Sequence, residues 1–539
     1  MGLSTRQLGP LQQWNGHSHV DRGRKKERTE GKQMTTMPNW LKQRACLTPE
    51  RMAVSDGKQE KTFAELYEAA AAWARRLARA GVKEGDVVAL LMKNRIEMVE
   101  IIHALFLLGA RVLLQNVRLT PYELGWQLDD SGARLVIADE ELAGRLSGDG
   151  RVLTIGALAG LPEAVASFKE TCDLEETATI MYTSGTTGTP KGVLQTYGNH
   201  WWSAVGSVLN LGLHERDCWL AAVPLFHISG LSIAMRSVIY GMPMRLQTSF
   251  DPKEANEWIM RGDVTIMSVV AAMLQRMMAE LREARYPDTF RCMLLGGGPA
   301  PLPLLEACKE KGIPVYQTYG MTETASQVAT LAPEYSLTKL GSAGKPLFPA
   351  ELRIVKNGRQ AAPYEEGEIV VKGPNVTKGY LHRPEETKQA IRDGWLYTGD
   401  MGYLDEDGFL YVLDRRSDLI ISGGENVYPA EVEAVLLSHP AVEEAGVTGV
   451  EDETWGQVPY AFVRLKHTAA ADEAALRAFC RERLAKYKVP ARIYFVDELP
   501  RNAAQKLLRR ELKRLIPKTE QTDSAENACS ESGKGRGLA

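Results

Sequence analysis

Between residues 63 and 138 the hydrophobic period of the chain switches repeatedly, and that switching restricts the fold more than any other feature. Phe63, Leu66, Ala70, Trp73 and Leu77 recur at helical spacing, and an unbroken apolar run then covers residues 87–92. A helix followed by a buried strand is predicted. Residues 96–108 repeat the helical pattern, residues 112–115 the strand, and residues 135–138 add another strand. Helices alternating with apolar strands give parallel sheets covered on their faces, so this part of the chain is expected to be α/β. The most apolar stretch, residues 101–114, is interrupted by His103 and Arg111 and falls short of the about 20 residues a membrane span needs. It reads as a buried helix and strand.

The texture changes later. Residues 368–372, 409–413 and 461–465 are short strand-like runs separated by Gly, Asp and Pro turns, and residues 472–486 and 503–515 carry a charged, amphipathic helical spacing. The strand-like runs mark a meander-rich region, and the two helical stretches that follow suit a small α+β domain. At 539 residues the chain exceeds what one hydrophobic core serves. We therefore expect a large N-terminal domain of helix-covered sheets at 37–415 and a small α+β C-terminal domain at 416–517, divided in the charged segment 415–418. Residues 1–36 are expected to be a disordered extension, with Met34 or Met37 as an alternative start, and residues 518–539 a disordered polar tail.

Composition narrows the function classes. Hydrophobic residues at 44% and charged residues at 25% fit a globular enzyme, and a formal charge of -3 gives no field that would favour nucleic acid or anionic lipid. Seven cysteines are scattered without a Cys-x-x-Cys pair, which disfavours zinc and a disulfide framework and points to the reducing cytoplasm.

The chemistry begins after the strand-like residues 178–182, at Thr183-Ser184-Gly185-Thr186-Thr187-Gly188-Thr189-Pro190-Lys191-Gly192. Glycines let backbone N–H groups approach phosphate oxygens, hydroxyls add donors, and Lys191 adds a charge. Each charge-assisted contact contributes roughly 1.5 to 3 kcal/mol. A short Gly/Ser/Thr cluster is usually an exposed turn, but eight such residues in a run of ten that embeds Pro-Lys-Gly make that reading improbable. A Walker A loop would need glycine at Pro190 and a hydroxyl at Gly192, and it fails on both.

At this loop the chain resembles the adenylate-forming enzymes, the superfamily of acyl-CoA synthetases, nonribosomal peptide adenylation domains and luciferases. The resemblance implies that Thr183, Ser184, Gly185, Thr186, Thr187, Gly188 and Lys191 embrace the β and γ phosphates of ATP. It extends to Tyr319-Gly320-Met321-Thr322-Glu323-Thr324, where the family has an aromatic residue at adenine, a threonine (here Thr322) at the α-phosphate and a glutamate (here Glu323) holding Mg2+. Gly296, Gly297, Gly298 and Pro299 match the loop lying against adenine and the acyl group. Asp400, in Tyr397-Thr398-Gly399-Asp400, matches the ribose-binding aspartate, with Arg415 assisting. Lys506 matches the mobile lysine that bridges the substrate carboxylate and the α-phosphate. Ser422, Gly423 and Gly424 match the lining of the tunnel for the pantetheine of coenzyme A, the second co-substrate beside ATP. The hinge pivot, usually Asp or Lys in the family, aligns with Ser417.

The acid is read from Pro224-Leu225-Phe226-His227-Ile228-Ser229-Gly230. Amino-acid-activating relatives carry an aspartate at the His227 position, and an imidazole beside Phe226, Ile228 and Leu231, in a pocket that also takes in Ser229 and Gly298, gives an α-ammonium nothing to pair with. A flat or apolar acyl group is favoured. Gly341-Ser342-Ala343-Gly344-Lys345-Pro346-Leu347-Phe348, residues 414–433 and the start Pro38-Asn39-Trp40-Leu41 sharpen the resemblance to the 2-succinylbenzoate CoA ligases of menaquinone biosynthesis, over residues 37–517. That implies activation of 2-succinylbenzoate at its succinyl carboxylate. The alternatives are another aryl or medium-chain acid, or a noncatalytic nucleotide-binding protein, which would be expected to have lost one of Lys191, Glu323, Asp400 or Lys506. All four are present. The sequence is compatible with a monomer or a homo-oligomer.

Overall fold

A computed structural model describes residues 36–517 apart from 120, 184–189, 298–299, 416–417, 419, 423–424, 428, 453–454, 468, 485 and 503–504. The expected tail and nearly all of the expected extension lie outside those residues. Thr36 does not: the strand Thr36–Pro38 pairs with Thr171–Asp173, so the fold begins one residue inside the segment expected to be disordered.

The switching period folds as its spacing predicts. Helix Phe63–Arg79 starts on a reciprocal cap, with Thr62 Oγ1 accepting the Glu65 N–H at 3.2 Å and the Glu65 carboxylate accepting the Thr62 N–H at 2.8 Å. It packs on helix Ile96–Leu108, which is buried on nearly every side and ends at Gly109 in the left-handed region, φ 69°. Strand Val87–Leu91 lies between Arg111–Leu114 and Leu135–Ala138, all parallel, and Val152–Thr154 continues the sheet. The strand read at 112–115 sits one residue earlier. On the other side Arg111–Leu114 pairs in parallel with Thr177–Thr183, which turns back antiparallel into Lys191–Thr196.

A second sheet carries the parallel set Met244–Leu246, Trp219–Ala221, Ile266–Val269, Cys292–Leu295 and Val315–Met321. It shares one core with the first: Leu90 and Val112 belong to the same cluster as Leu220, Ile266 and Met293. Beyond Val315–Met321 the sheet becomes antiparallel through Ser326–Leu331, Ser342–Pro346, Leu410–Arg415, Trp395–Leu404 and Gly367–Lys372. The strand-like runs read at 368–372 and 409–413 lie in this antiparallel part, as a meander. The connection between residues 321 and 326 is too short for a parallel crossover, so only a hairpin fits.

The last sheet joins Glu425–Val427, Ile420–Ser422, Gly456–Leu465, Val442–Asp452 and Arg492–Phe495, with helices Pro429–Leu437 and Glu473–Arg481, an α+β arrangement as expected. Near the C-terminal end the helical spacing promised more helix than forms. Of the described residues in 503–515 only Arg509–Leu512 is α-helix, continued by a tight turn at Lys513–Leu515. Lys506 therefore stands on a loop, where Asn502 Oδ1 takes its N–H at 2.9 Å and Gln505 holds φ 60°. No helix among the described residues is long and apolar enough to cross a membrane.

Candidate active site

Parallel strands deliver their following loops to one edge of a sheet, the usual place for ligands in such folds. Here Trp219–Ala221, Cys292–Leu295 and Val315–Met321 bring residues 223–229, 296–297 and 319–323 to that edge. Thr183 and Lys191 face each other across the antiparallel pair, so the two described ends of the Ser/Thr/Gly signature are held side by side. Ser184, Gly185, Thr186, Thr187 and Gly188 lie outside the described residues.

Lys191 Nζ stands 5.3 Å from the centroid of the Tyr380 ring. The Tyr380 hydroxyl in turn donates to Glu323 Oε1 at 3.1 Å, and Glu323 is 6% exposed. Thr377 N–H reaches the Glu323 carbonyl at 2.7 Å. One aromatic residue thus joins the lysine of the phosphate hairpin to the carboxylate expected at the metal. Sequence reading missed Tyr380, which forms an isolated antiparallel bridge with Val193 and is preceded by Gly379.

The donor set at Glu323 fits a hard cation. It is an oxygen ligand oriented by a hydroxyl, and among the described residues no three His, Cys, Asp or Glu side chains gather into a metal nest of their own. A cation there would take its other ligands from phosphate oxygens and water, as magnesium does.

On the nucleotide side, the Tyr319 hydroxyl donates to Asp400 Oδ2 at 2.7 Å, joining two motifs 81 residues apart, and Asp400 is opposite Arg415 in the strand pair. Gly320 is required by the backbone: a Cβ there would stand 2.1 Å from the Ser326 carbonyl oxygen. Gly297 adopts φ 84°, and Gly296 N–H donates to the Val269 carbonyl at 3.0 Å. Gly298 and Pro299 are outside the described residues.

In the acyl motif, Phe226 is buried against the His227 ring, with centroids 4.8 Å apart. His227 caps helix Ile228–Tyr240 with extended backbone, and Leu231 N–H bonds its carbonyl at 2.9 Å. Ile228 is half-buried and Ser229 exposed. The buried His227 Nε2 has no hydrogen-bond partner among the described residues, which leaves a polar atom ready for a ligand group. Burial, reinforced by the Arg118 guanidinium, pushes the His227 pKa down to about 4, so the imidazole is neutral near pH 7. Arg118 itself is exposed, on a loop whose Val117 and Leu119 carbonyls are both clamped by Arg145.

The remaining expected residues belong to the last sheet and its loops. Lys506 is exposed, and its loop is braced by Arg501, which donates to the Gln505 carbonyl at 2.8 Å and pairs with Glu444 at 2.8 Å. Ser422 is buried and faces Gly456 across the strand pair. Gly423, Gly424 and the pivot candidate Ser417 fall outside the described residues.

Comparison with known proteins matches this arrangement along the chain. Residues 41–381 match the AMP-binding enzyme family and residues 431–506 the AMP-binding enzyme C-terminal domain. A 2-succinylbenzoate CoA ligase of Geobacillus kaustophilus (strain HTA426) is 90% identical over 489 residues, 91% of this chain and 100% of that protein. One of Bacillus cereus is 56% identical, covering 90% of this chain and 99% of its own. The solved o-succinylbenzoate CoA synthetase of Bacillus subtilis, in complex with the acyl-adenylate intermediate OSB-AMP, superposes with a TM-score of 0.85 at 53% identity, covering 89% of this chain and 99% of that one. The same enzyme has been solved with ATP and magnesium ion, again with a TM-score of 0.85. The chain belongs to the AMP-binding enzyme family and, within it, to the 2-succinylbenzoate CoA ligases.

Proposed function

We propose that this enzyme joins 2-succinylbenzoate to coenzyme A at the expense of ATP, through an acyl-adenylate, giving 2-succinylbenzoyl-CoA, AMP and pyrophosphate for menaquinone biosynthesis. The observation that carries the reading is the 90% identity over the full length of a ligase of that name. The site chemistry agrees with it.

The acid arrives ionised, so its carboxylate oxygen can attack the α-phosphorus without a general base. The P–O bond to pyrophosphate breaks and pyrophosphate leaves with the electron pair. What the protein must supply is positive charge and fixed donors around two anions. Residues 183–188 and Lys191 hold the β and γ phosphates, Thr322 meets the α-phosphate, and Lys506 bridges it to the carboxylate. Glu323 would hold magnesium, whose chemistry there is to neutralise charge on the phosphate oxygens. Tyr319 borders the adenine and orients Asp400 toward the ribose, with Arg415 beside it. Phe226 and the neutral His227 accommodate the aromatic keto acid without offering an ammonium a partner.

In the second step the thiol sulfur of coenzyme A attacks the acyl carbonyl carbon, the bond to AMP breaks, and the thiol proton passes to solvent. Ser422, Gly423 and Gly424 line the approach once the domain at 416–517 has turned about 415–418. That hinge position is supported by the strands on either side: Leu410–Arg415 is the last strand the chain adds to the long sheet and Ile420–Ser422 the first it adds to the last one. We place the reaction in the cytoplasm, where ATP and coenzyme A are supplied and scattered thiols stay reduced.

The test is ATP- and CoA-dependent pyrophosphate release with 2-succinylbenzoate, benzoate, octanoate and phenylalanine in parallel, with the thioester identified by mass. A response to 2-succinylbenzoate alone is expected. A preference for another acid would keep the mechanism and discard the substrate.

A further inference from the structure

Beneath the Thr322 turn runs a buried hydrogen-bond chain to which no role has been given. Gln195 Nε2 donates to the Thr322 carbonyl at 2.8 Å. Gln195 Oε1 accepts the Thr179 hydroxyl at 2.7 Å, and Thr179 Oγ1 lies 2.8 Å from His200 Nε2. Thr179, Gln195 and His200 are all buried.

The direction of every bond is forced from one end. A carbonyl only accepts, so Gln195 must present its NH2 to Thr322 and its oxygen to Thr179. The Thr179 proton is then committed to Gln195, so the Thr179 oxygen accepts from His200, which carries its proton on Nε2. His200 is neutral, because burial, with the nearby Arg236 cation second, pushes its pKa down to about 3. The amide of Gln195 is thereby locked against flipping.

The turn held by this chain is one the backbone does not favour. Ala325 has φ 50° and Ser326 φ 112°, both in the left-handed half of conformational space. Side chains from outside the turn take its carbonyls: Ser203 Oγ donates to Ala325 at 2.6 Å and Asn375 Nδ2 to Thr324 at 3.1 Å. Of these outside braces, Gln195 is the one that ends on Thr322 itself.

We propose that Gln195, kept in orientation by Thr179 and His200, is a positioning residue for adenylate formation: it fixes the Thr322 backbone so that the Thr322 hydroxyl and the Glu323 carboxylate face the reacting phosphates. The proposal rests on the roles assigned above to Thr322 and Glu323. Misplacing groups that act at the transition state lowers rate more than ground-state affinity, by about ten- to a hundredfold for shifts near 1 Å.

The experiment compares Gln195→Met, Thr179→Val and Thr179→Ser with the wild-type enzyme. Four quantities are read: single-turnover pyrophosphate release with 2-succinylbenzoate, affinity for a nonhydrolysable ATP analogue, thioester formation from supplied acyl-adenylate and CoA, and Tm. Gln195→Met should slow adenylation about tenfold or more while analogue affinity and the thioester step stay within about twofold. Thr179→Val should move adenylation the same way, and Thr179→Ser, which restores the hydroxyl, should return it to near the wild-type rate. Wild-type adenylation in Gln195→Met would overturn the proposal, as would a joint fall of affinity, both half-reactions and Tm. Thr322→Ala and Glu323→Gln separate the two levels. If they leave adenylation intact, the site assignment falls and the positioning role with it; if they abolish it while Gln195→Met does not, only the positioning role falls.

Discussion

Lys506 and Tyr380 mark what a linear reading of this chain captures at single residues and what it misses. The role proposed for Lys506 rests on a local motif, but its setting was not legible: the helix expected around it gives way to a loop, since Asn502 and a left-handed Gln505 satisfy the backbone there instead. Lys506→Ala should slow adenylate formation about 10²- to 10³-fold and leave thioester formation from a supplied adenylate intact, measured as separate half-reactions. Equal loss of both would refute the assigned role. Tyr380 was not legible, because its partner Glu323 is 57 residues away and the pairing exists only after folding. A hydroxyl that orients a metal-binding carboxylate typically matters about 10- to 100-fold in metal affinity. Tyr380→Phe, which keeps the ring under Lys191, should weaken Mn2+ binding in the presence of a nonhydrolysable ATP analogue by about tenfold, read by electron paramagnetic resonance. Unchanged Mn2+ affinity would assign the hydroxyl to packing alone.

Elements with a strong period were readable nearly to the residue, as Ile96–Leu108 and Leu135–Ala138 show, because burial on one or all sides writes itself into spacing. Two helices open on the same kind of reciprocal cap but stand in different places. Thr62 starts Phe63–Arg79 in an exposed setting, whereas Thr196 and Asn199 start Tyr197–Leu211 in a buried one. Asn199 also spends its amide on the carbonyls of Pro374 and Val376, at 3.0 and 2.8 Å, within the segment whose Thr377 N–H holds Glu323. Thr62→Ala should therefore cost about 1 kcal/mol with activity unchanged. Asn199→Ala, which strips a cap and leaves buried carbonyls unmet, should cost about 2 to 4 kcal/mol and slow adenylation as well. Urea midpoints and the adenylation half-reaction check both; equal stability losses would mean that the shared carbonyls carry no energy.

At the scale of the whole molecule, alternation foretold layered parallel sheets, and the short runs at 368–372 and 409–413 a meander, but not that both share one sheet, joined past Val315–Met321 by a hairpin of unusual backbone. Nor did it foretell how much polar material the joint core encloses. His103 and His200 are both buried, and burial pushes their pKa values down to about 4 and about 3. Unfolding returns each to an ordinary imidazole near 6.5. Between the two values the unfolded chain binds a proton that the folded one refuses, so stability rises with pH in that window and falls as pH drops through it. The contribution is complete above about pH 6.5 and erodes toward pH 4 for His103 and pH 3 for His200. At pH 5.5 each histidine should lower the unfolding free energy by about 1.4 kcal/mol relative to pH 7.5, before most carboxylates begin to titrate. Urea denaturation at pH 5.5 should show the uptake of nearly one proton for each of His103, His200 and His227, whose pKa is also pushed down to about 4, and His103→Leu should remove one of them. A stability independent of pH from 7.5 to 5.5 would mean that these imidazoles are reached by solvent, and that the shared core of the two sheets is looser than its packing requires.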